Sequence, residues 1–194
     1  AGTRSQVLVI LNKMQRELVS ALASAGDLTK YSKGRKQDLL RQVKQVISEY
    51  YIKAQGELDL ATSGLAEVQT AHLGKMLNTS ILIDASVALP TATAVSRIAG
   101  NALIEGGVIA DWWKKQTADV VFKVTSAIQQ GIAQGETNQQ VILRMVGKPG
   151  TSGALDMARS NVAALVQTAM QTVANDSRLS VFDANSDVIG SVEW

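Results

Sequence analysis

The groups able to do chemistry in this chain are few. His72 is its one imidazole and cysteine is absent, so a Ser/His/Asp set has a single candidate base. A His-rich metal centre, thiolate ligation and disulfides are excluded. No carboxylate cluster stands in register with His72, which reads as an ordinary packed or boundary histidine rather than a switch or a ligand. Asp183 and Asp187 could approach one another as paired carboxylates, or one of them could cap a helix end. "GKPGTSG", residues 147–153, offers glycine, lysine and serine. It lacks the preceding strand and the GK[ST] order that cradle a phosphate, and reads as a loop. The sequence nominates no catalytic residue, no cofactor and no metal.

Binding offers more. Trp112-Trp113-Lys114-Lys115 sets two indoles beside two cations. They could anchor a protein partner, or stack on bases while the lysines neutralise phosphate, or pack both rings in a thick core. Lys30, Lys33, Arg35, Lys36, Arg41 and Lys44 crowd into one short segment. This pattern suits salt-sensitive, non-specific phosphate contact, and equally a solvated helix start. "AIQQGIAQGETNQQVILRMVG", residues 127–147, has the outline of a helix-turn-helix, with Asn138, Gln139 and Gln140 where a reading helix presents its side chains. Arg144 is its one positive charge. With no basic flank for phosphates, the stretch reads as a packing hairpin.

These residues must be positioned by helices. Of 194 residues, 46% are hydrophobic, 4% are aromatic and two are proline, a composition that favours long helices and a real core. Val7, Leu8, Leu11, Met14, Leu18, Val19 and Leu22 predict an amphipathic helix over 5–25. From about Arg35 to Lys75, Leu40, Val43, Ile47, Tyr50, Ala54, Leu58, Ala61, Leu65, Val68 and His72 recur at the α-helical period. Gly56 and Gly64 predict a kink or break near one of them. A stripe that long has more apolar surface than one small globule covers, so it is expected to lie against a partner.

"TSILIDASVALP", 79–90, predicts a short strand or extended connection, and 91–98 a short helix stopped by Gly100, with Gly106-Gly107 a flexible point. Ile109, Trp113, Val120, Val124, Ile128 and Ile132 mark a helix from Val108 to Gln134. Thr137 and Gln140 form a capping box for a helix over 138–146 that stops at Gly147. A last long helix runs from about Ala154 to Ala184, and Val188, Ile189, Val192 and Trp194 look strand-like. The expected fold is mainly α, with long helices, a helical hairpin and a minor C-terminal β-strand element. It divides into an N-terminal helical region 1–75, a linker region 76–107 and a C-terminal region 108–194. Residues 1–75 carry 11 Lys/Arg against 7 Asp/Glu, and 76–194 carry 8 against 10. Neither imbalance announces a nucleic-acid partner by itself. No run is long and apolar enough to predict a membrane span.

The run from "ADWWKKQTADVVFKVTSAIQQGIAQGETNQQVILRMVG" through "NVAALVQTAMQTVANDSRLSVFDANSDVIGSVEW" resembles the Mu F-like phage head morphogenesis proteins, also called minor head proteins. The matching positions are Ile128, Gly131, Gly135, Thr137, Gln140, Val141 and Gly147, then Thr168, Ala174, Asn175, Arg178, Phe182, Asn185, Asp187, Ile189, Val192 and Trp194. "YYIKAQGELDLATSGLAEVQTAHL" is similar to the family's N-terminal half. Gln167 departs from the pattern, standing where the family usually has an arginine. Relatives also continue past the closing Trp, so further polypeptide, or a shortened protein, is expected.

The resemblance implies a structural minor capsid protein of the virion, located at the portal vertex of the head and assembled in the host cytoplasm. Its implied partners are the portal protein and capsid proteins, with several copies around the portal, and packaged DNA with which it could leave on ejection. It implies no enzymatic step. The competing expectation is a helical, non-specific DNA-binding protein acting through Lys30 to Lys44.

Overall fold

The computed structural model describes residues 2–80, 87–187 and 189. The fold is mainly α with minor β elements, as expected. Helix α1 spans Thr3–Ser24 and buries Val7, Leu11, Met14, Leu18 and Leu22, one row at steps of three and four. A 3-10 turn at Leu28–Lys30 follows, started by Asp27, whose side chain accepts from the Thr29 N–H.

Helix α2 is continuous over Lys33–Ser80. The kink or break expected at Gly56 or Gly64 does not occur. Each glycine costs about 1 kcal/mol against alanine, and the Gln, Glu, Leu and Ala around them favour the helix enough to carry it through.

Helix α3 (Ala92–Asn101) is capped by Thr91, whose hydroxyl accepts from the Ala94 N–H. Strands β1 (Leu103–Ile104) and β2 (Gly107–Val108) pair antiparallel across Glu105 and Gly106. Both turn residues have positive φ, at 48° and 80°. Helices α4 (Ile109–Ala133) and α5 (Asn138–Val146) come next. Strands β3 (Gly147–Lys148) and β4 (Thr151–Ser152) then pair antiparallel, and α6 runs over Ala154–Asp183. The strand expected over Val188–Trp194 lies outside the described residues, Ile189 apart. The one expected within 79–90 falls largely on 81–86, also outside them, while 87–90 has no regular structure.

By compactness the chain forms two units, each made of two separated stretches. The first takes residues 1–57 and 110–165. Its core is large and branched, with Leu11, Met14, Leu18, Leu22, Leu28, Ile47, Tyr51, Trp113, Ile128, Met145 and Leu155 all sealed from solvent. Burial on this scale is the principal stabilising term, at about 25 cal/mol per Å² of apolar area. Polar ties hold α1 in place. The Tyr50 hydroxyl donates to Glu17 Oε2 at 2.7 Å, and Arg159 reaches Asn12 at 3.1 Å, with Gln15 and Asp156 as its further partners.

The second unit takes residues 58–109 and 166–194, and its described core is built from smaller side chains. Leu58, Thr62, Ala66, Thr70 and Leu73 of α2, Val95 and Ala99 of α3, and Ala169, Val173, Ser177 and Val181 of α6 are buried. The hydroxyls satisfy themselves on their own helices: Thr62 donates to Leu58 O at 3.0 Å, Thr70 to Ala66 O at 2.7 Å and Ser177 to Val173 O at 2.6 Å. A buried hydroxyl without such an acceptor would cost about 1–3 kcal/mol. Gly74 leaves room for Leu89, whose Cδ2 lies 2.2 Å from where a Cβ at position 74 would stand.

The stripe of α2 is thus covered from within the chain. Leu39, Val43, Ile47, Tyr51 and Ala54 are buried, as are the residues of its second half just named. The local cover that this stripe was expected to lack is therefore present as far as Leu58. Past Leu58 the buried row also turns away from Ala61, Leu65, Val68 and His72, leaving Val68 64% exposed and His72 at the surface.

Candidate functional site

The start of α4 divides the two tryptophans. Trp113 is 1% exposed, its Nε1–H donates to Tyr51 O at 2.8 Å, and its ring sits 6.0 Å from that of Tyr51. It is a core residue and leaves the docking set, because no partner can reach it. Trp112, one residue and about 100° around the helix, is half-buried, and Lys115 Nζ lies 4.9 Å over its ring. Lys114 and Lys115 are exposed.

The same outer face carries a residue that the sequence reading passed over. Phe122 is 71% exposed in the middle of α4. Trp112, Lys115, Asp119, Phe122, Ser126, Gln129 and Ala133 follow at alternating steps of three and four, so they share one row along the helix. Two aromatics on the solvent side of one helix, in a chain with 4% aromatic residues, form an unusual concentration. The available signal was rotational: the row lies opposite the apolar stripe of Trp113, Val120, Val124 and Ile128.

The basic segment does not form one uniform patch. Lys30 pairs with Asp27 at 3.3 Å and Arg41 with Asp38 at 2.7 Å, while Arg35 stacks 4.3 Å from the centre of the Tyr31 ring. The Asp27 carboxyl lies below its ordinary pKa, chiefly through its hydrogen bonds from Thr29 and secondarily through Lys30. Lys33, Lys36 and Lys44 form no ion pair among the described residues. Lys33 and Lys36 line a shallow cavity of about 290 Å³ with Gln37 and Leu40, closed on its far side by Gln129, Ile132 and Ala133 of α4. Lys44 lies four residues after Leu40, along the same flank of α2. The outer row of α4 therefore runs at its C-terminal end into the lysine-lined cavity.

The hairpin between α4 and α5 commits its polar groups internally. Gly131 is packed against α5: a Cβ there would meet Val141 Cγ2 at 2.5 Å and Glu136 Oε2 at 2.9 Å. Gly135 and Gly147 have φ of 70° and 87°, a region that side chains disfavour. The capping box is present. Thr137 Oγ1 accepts from the Gln140 N–H at 3.3 Å, and the Thr137 N–H donates to Gln140 Oε1 at 2.8 Å.

Arg144, the cation a DNA-reading hairpin would need, donates to both Glu136 oxygens at 2.6 and 2.5 Å, and to Gln130 and Gln134. It holds the Glu136 carboxyl below its ordinary pKa. The Asn138 amide turns onto the end of α1, donating to Leu22 O at 2.9 Å and Ala25 O at 2.7 Å. These carbonyls are orphaned by the end of the helix, and the amide satisfies them. Neither Asn138 nor Arg144 faces outward to read a groove.

The remaining candidates are surface carboxylates and a hairpin. Asp183 and Asp187 are both exposed, the first being the last residue of α6. "GKPGTSG" is the β3–β4 hairpin followed by Gly153, where a Cβ would stand 2.2 Å from Gly147 N and 2.4 Å from Met145 O. Among the described residues, no group of three or more His, Cys, Asp or Glu could hold a metal ion, and no helix is long and apolar enough to cross a membrane. Asn185, 2% exposed, pairs both ways with the Ala88 peptide: Oδ1 accepts its N–H at 2.7 Å, and Nδ2 donates to its carbonyl at 2.8 Å. No family model, no curated protein and no solved structure matches this chain.

Proposed function

We propose that the chain is a structural minor head protein of a tailed phage, which binds the portal vertex during head assembly and works by shape and surface rather than by catalysis. The observation that carries this reading is what the marks of the resemblance do. Gly131 and Gly147 are points of close approach, Gly135 takes a positive φ, Thr137 and Gln140 cap α5, and Asn185 locks onto Ala88. A family that shares such marks shares a framework, as structural components do. Portal and capsid proteins are then its partners, and the virion head its location. Trp112, Lys114 and Lys115 are the contact residues retained from the docking set. Packaged DNA is a secondary partner, with which the protein leaves on ejection.

Co-expression with the portal protein of the same phage tests this reading, followed by imaging of assembled heads at the portal vertex. Density for this chain at the vertex is the expected result. Heads that assemble and package normally without it, together with no portal association, overturn it. A second reading, non-specific DNA binding, has one observation in its favour: Lys33, Lys36 and Lys44 form no ion pair among the described residues. Steep loss of duplex affinity across a salt series, with no portal binding, would select it.

A further inference from the structure

The outer row of α4 and the cavity beside its end invite a specific kind of occupant. We infer that together they are a docking groove for an acidic amphipathic helix of a partner protein. The inference rests on the reading of this chain as a binding protein, and does not require that the partner be a portal.

Three observations converge. The row from Trp112 to Ala133 repeats at heptad-like steps, the spacing that a second helix matches when it packs alongside. Its apolar members, Phe122 at 71% exposure and half-buried Trp112, sit ten residues apart, about 15 Å along the axis. Two anchors at that distance fit the apolar face of a helix rather than a single small ligand. The charge around them is mixed on α4, where Lys115 stands on the row between Asp111 and Asp119, and positive along α2, where Lys33, Lys36 and Lys44 form no ion pair among the described residues. Glutamates flanking a partner's apolar face would meet these lysines while its leucines cover Phe122 and enter the cavity over Leu40 and Ile132.

Duplex DNA suits the surface less well. Phe122 gains from burial against apolar groups, which a sugar-phosphate backbone does not offer.

The probe is a synthetic helix of about twenty residues, the number that spans this row at about 1.5 Å per residue. It carries leucines at heptad spacing with glutamates elsewhere, and a counterpart has lysines for the glutamates. Binding is followed by calorimetry with the full chain. The acidic helix should bind, with at least about a tenfold weaker Kd for Phe122→Ala and again for Lys33→Glu with Lys36→Glu. Melting temperatures of both variants should stay unchanged, since these residues lie at the surface.

No binding of the acidic helix, equal binding of the basic one, or indifference to Phe122→Ala overturns the proposal. So does tighter binding of a duplex that loses affinity on lysine reversal but not on Phe122→Ala. Peptide binding by a chain that fails to associate with portal protein would leave the groove standing and remove the portal reading alone.

Discussion

Replacing Gly56 and Gly64 of α2 by alanine should stabilise the protein, and the size of the gain follows from their surroundings. Both positions lie inside one uninterrupted helix, and a Cβ at either meets no atom within 4 Å. No steric cost therefore offsets the change in helix propensity, about 1 kcal/mol for glycine to alanine at an interior position. The two sites are eight residues apart, about 12 Å along the axis, beyond the range at which substitutions usually couple. The double variant should gain about 2 kcal/mol. For a chain of this length that corresponds to a rise in Tm of roughly 4–8 °C. Thermal melts followed by far-UV circular dichroism, with urea denaturation to check that the m-value is unchanged, supply the measurement. Gly153→Ala is the contrasting variant. Its Cβ would lie 2.2 and 2.4 Å from backbone atoms, which cannot rotate away. A loss of at least about 3 kcal/mol is expected, at or beyond the upper end of ordinary overpacking. A fall in Tm for either α2 variant would refute the reasoning, because it would mean that those glycines are points of approach or bending rather than free helix surface.

Other substitutions separate the roles of neighbouring residues. Tyr51→Phe should be neutral or stabilising by up to about 1 kcal/mol, because the buried Tyr51 hydroxyl has no hydrogen-bond partner among the described residues; a loss above that in urea denaturation would reveal a further partner such as bound water. Burial holds the Tyr51 phenol well above its ordinary pKa, so it should stay protonated in alkali that titrates a surface tyrosine, as ultraviolet difference spectra would report. Trp113→Phe should lower the melting temperature, losing the bond to the Tyr51 carbonyl, while Trp112→Ala should weaken partner binding and leave that temperature alone. Arg144 depresses the Glu136 carboxyl below its ordinary value of 4.5, so the ion pair's contribution is present above that pH and disappears as pH falls through the lowered value. Glu136→Gln should accordingly flatten the acid limb of a stability-against-pH curve, and an unchanged limb would show that the pair does not couple to folding.

The parts of the fold most legible in the sequence were those written in local chemistry. Residues 5–25 were expected to be helical, and α1 runs Thr3–Ser24; the capping box of Thr137 and Gln140 was expected and is present. As far as Leu58 the periodic row on α2 was legible in part: Val43, Ile47, Ala54 and Leu58 are buried as expected, but Leu39 and Tyr51 are buried in place of Leu40 and Tyr50. Beyond Leu58, apolarity pointed to Ala61, Leu65 and Val68, while burial chose Thr62, Ala66 and Thr70. A threonine that bonds back to its own helix carries no outward polar demand, and a hydropathy pattern cannot register that. The β1–β2 and β3–β4 pairs passed for a flexible point and a loop, since two-residue strands are made by their turns and leave no alternation to detect. Among site residues, Trp112 stands out in the sequence by its type and its proximity to lysine, whereas Phe122 is marked only by its position opposite the buried stripe. Asn138 stands in the sequence where a groove reader would, although its amide satisfies carbonyls more than a hundred positions away in the chain. Such long-range acceptors have no local signature.

The interleaving of the two units has a consequence for synthesis. Residues 1–57 leave the ribosome with the inner faces of α1 and early α2 complete, yet the stretch that covers them, 110–165, is not made until the whole of 58–109 has emerged. That intervening segment must itself wait for residues from Val166 onward. Each half-unit therefore spends its first moments with apolar surface uncovered, a period in which nascent chains are most open to chaperones and to aggregation. No contiguous fragment can be cut out as either unit, and the late arrival of α6 times the completion of both.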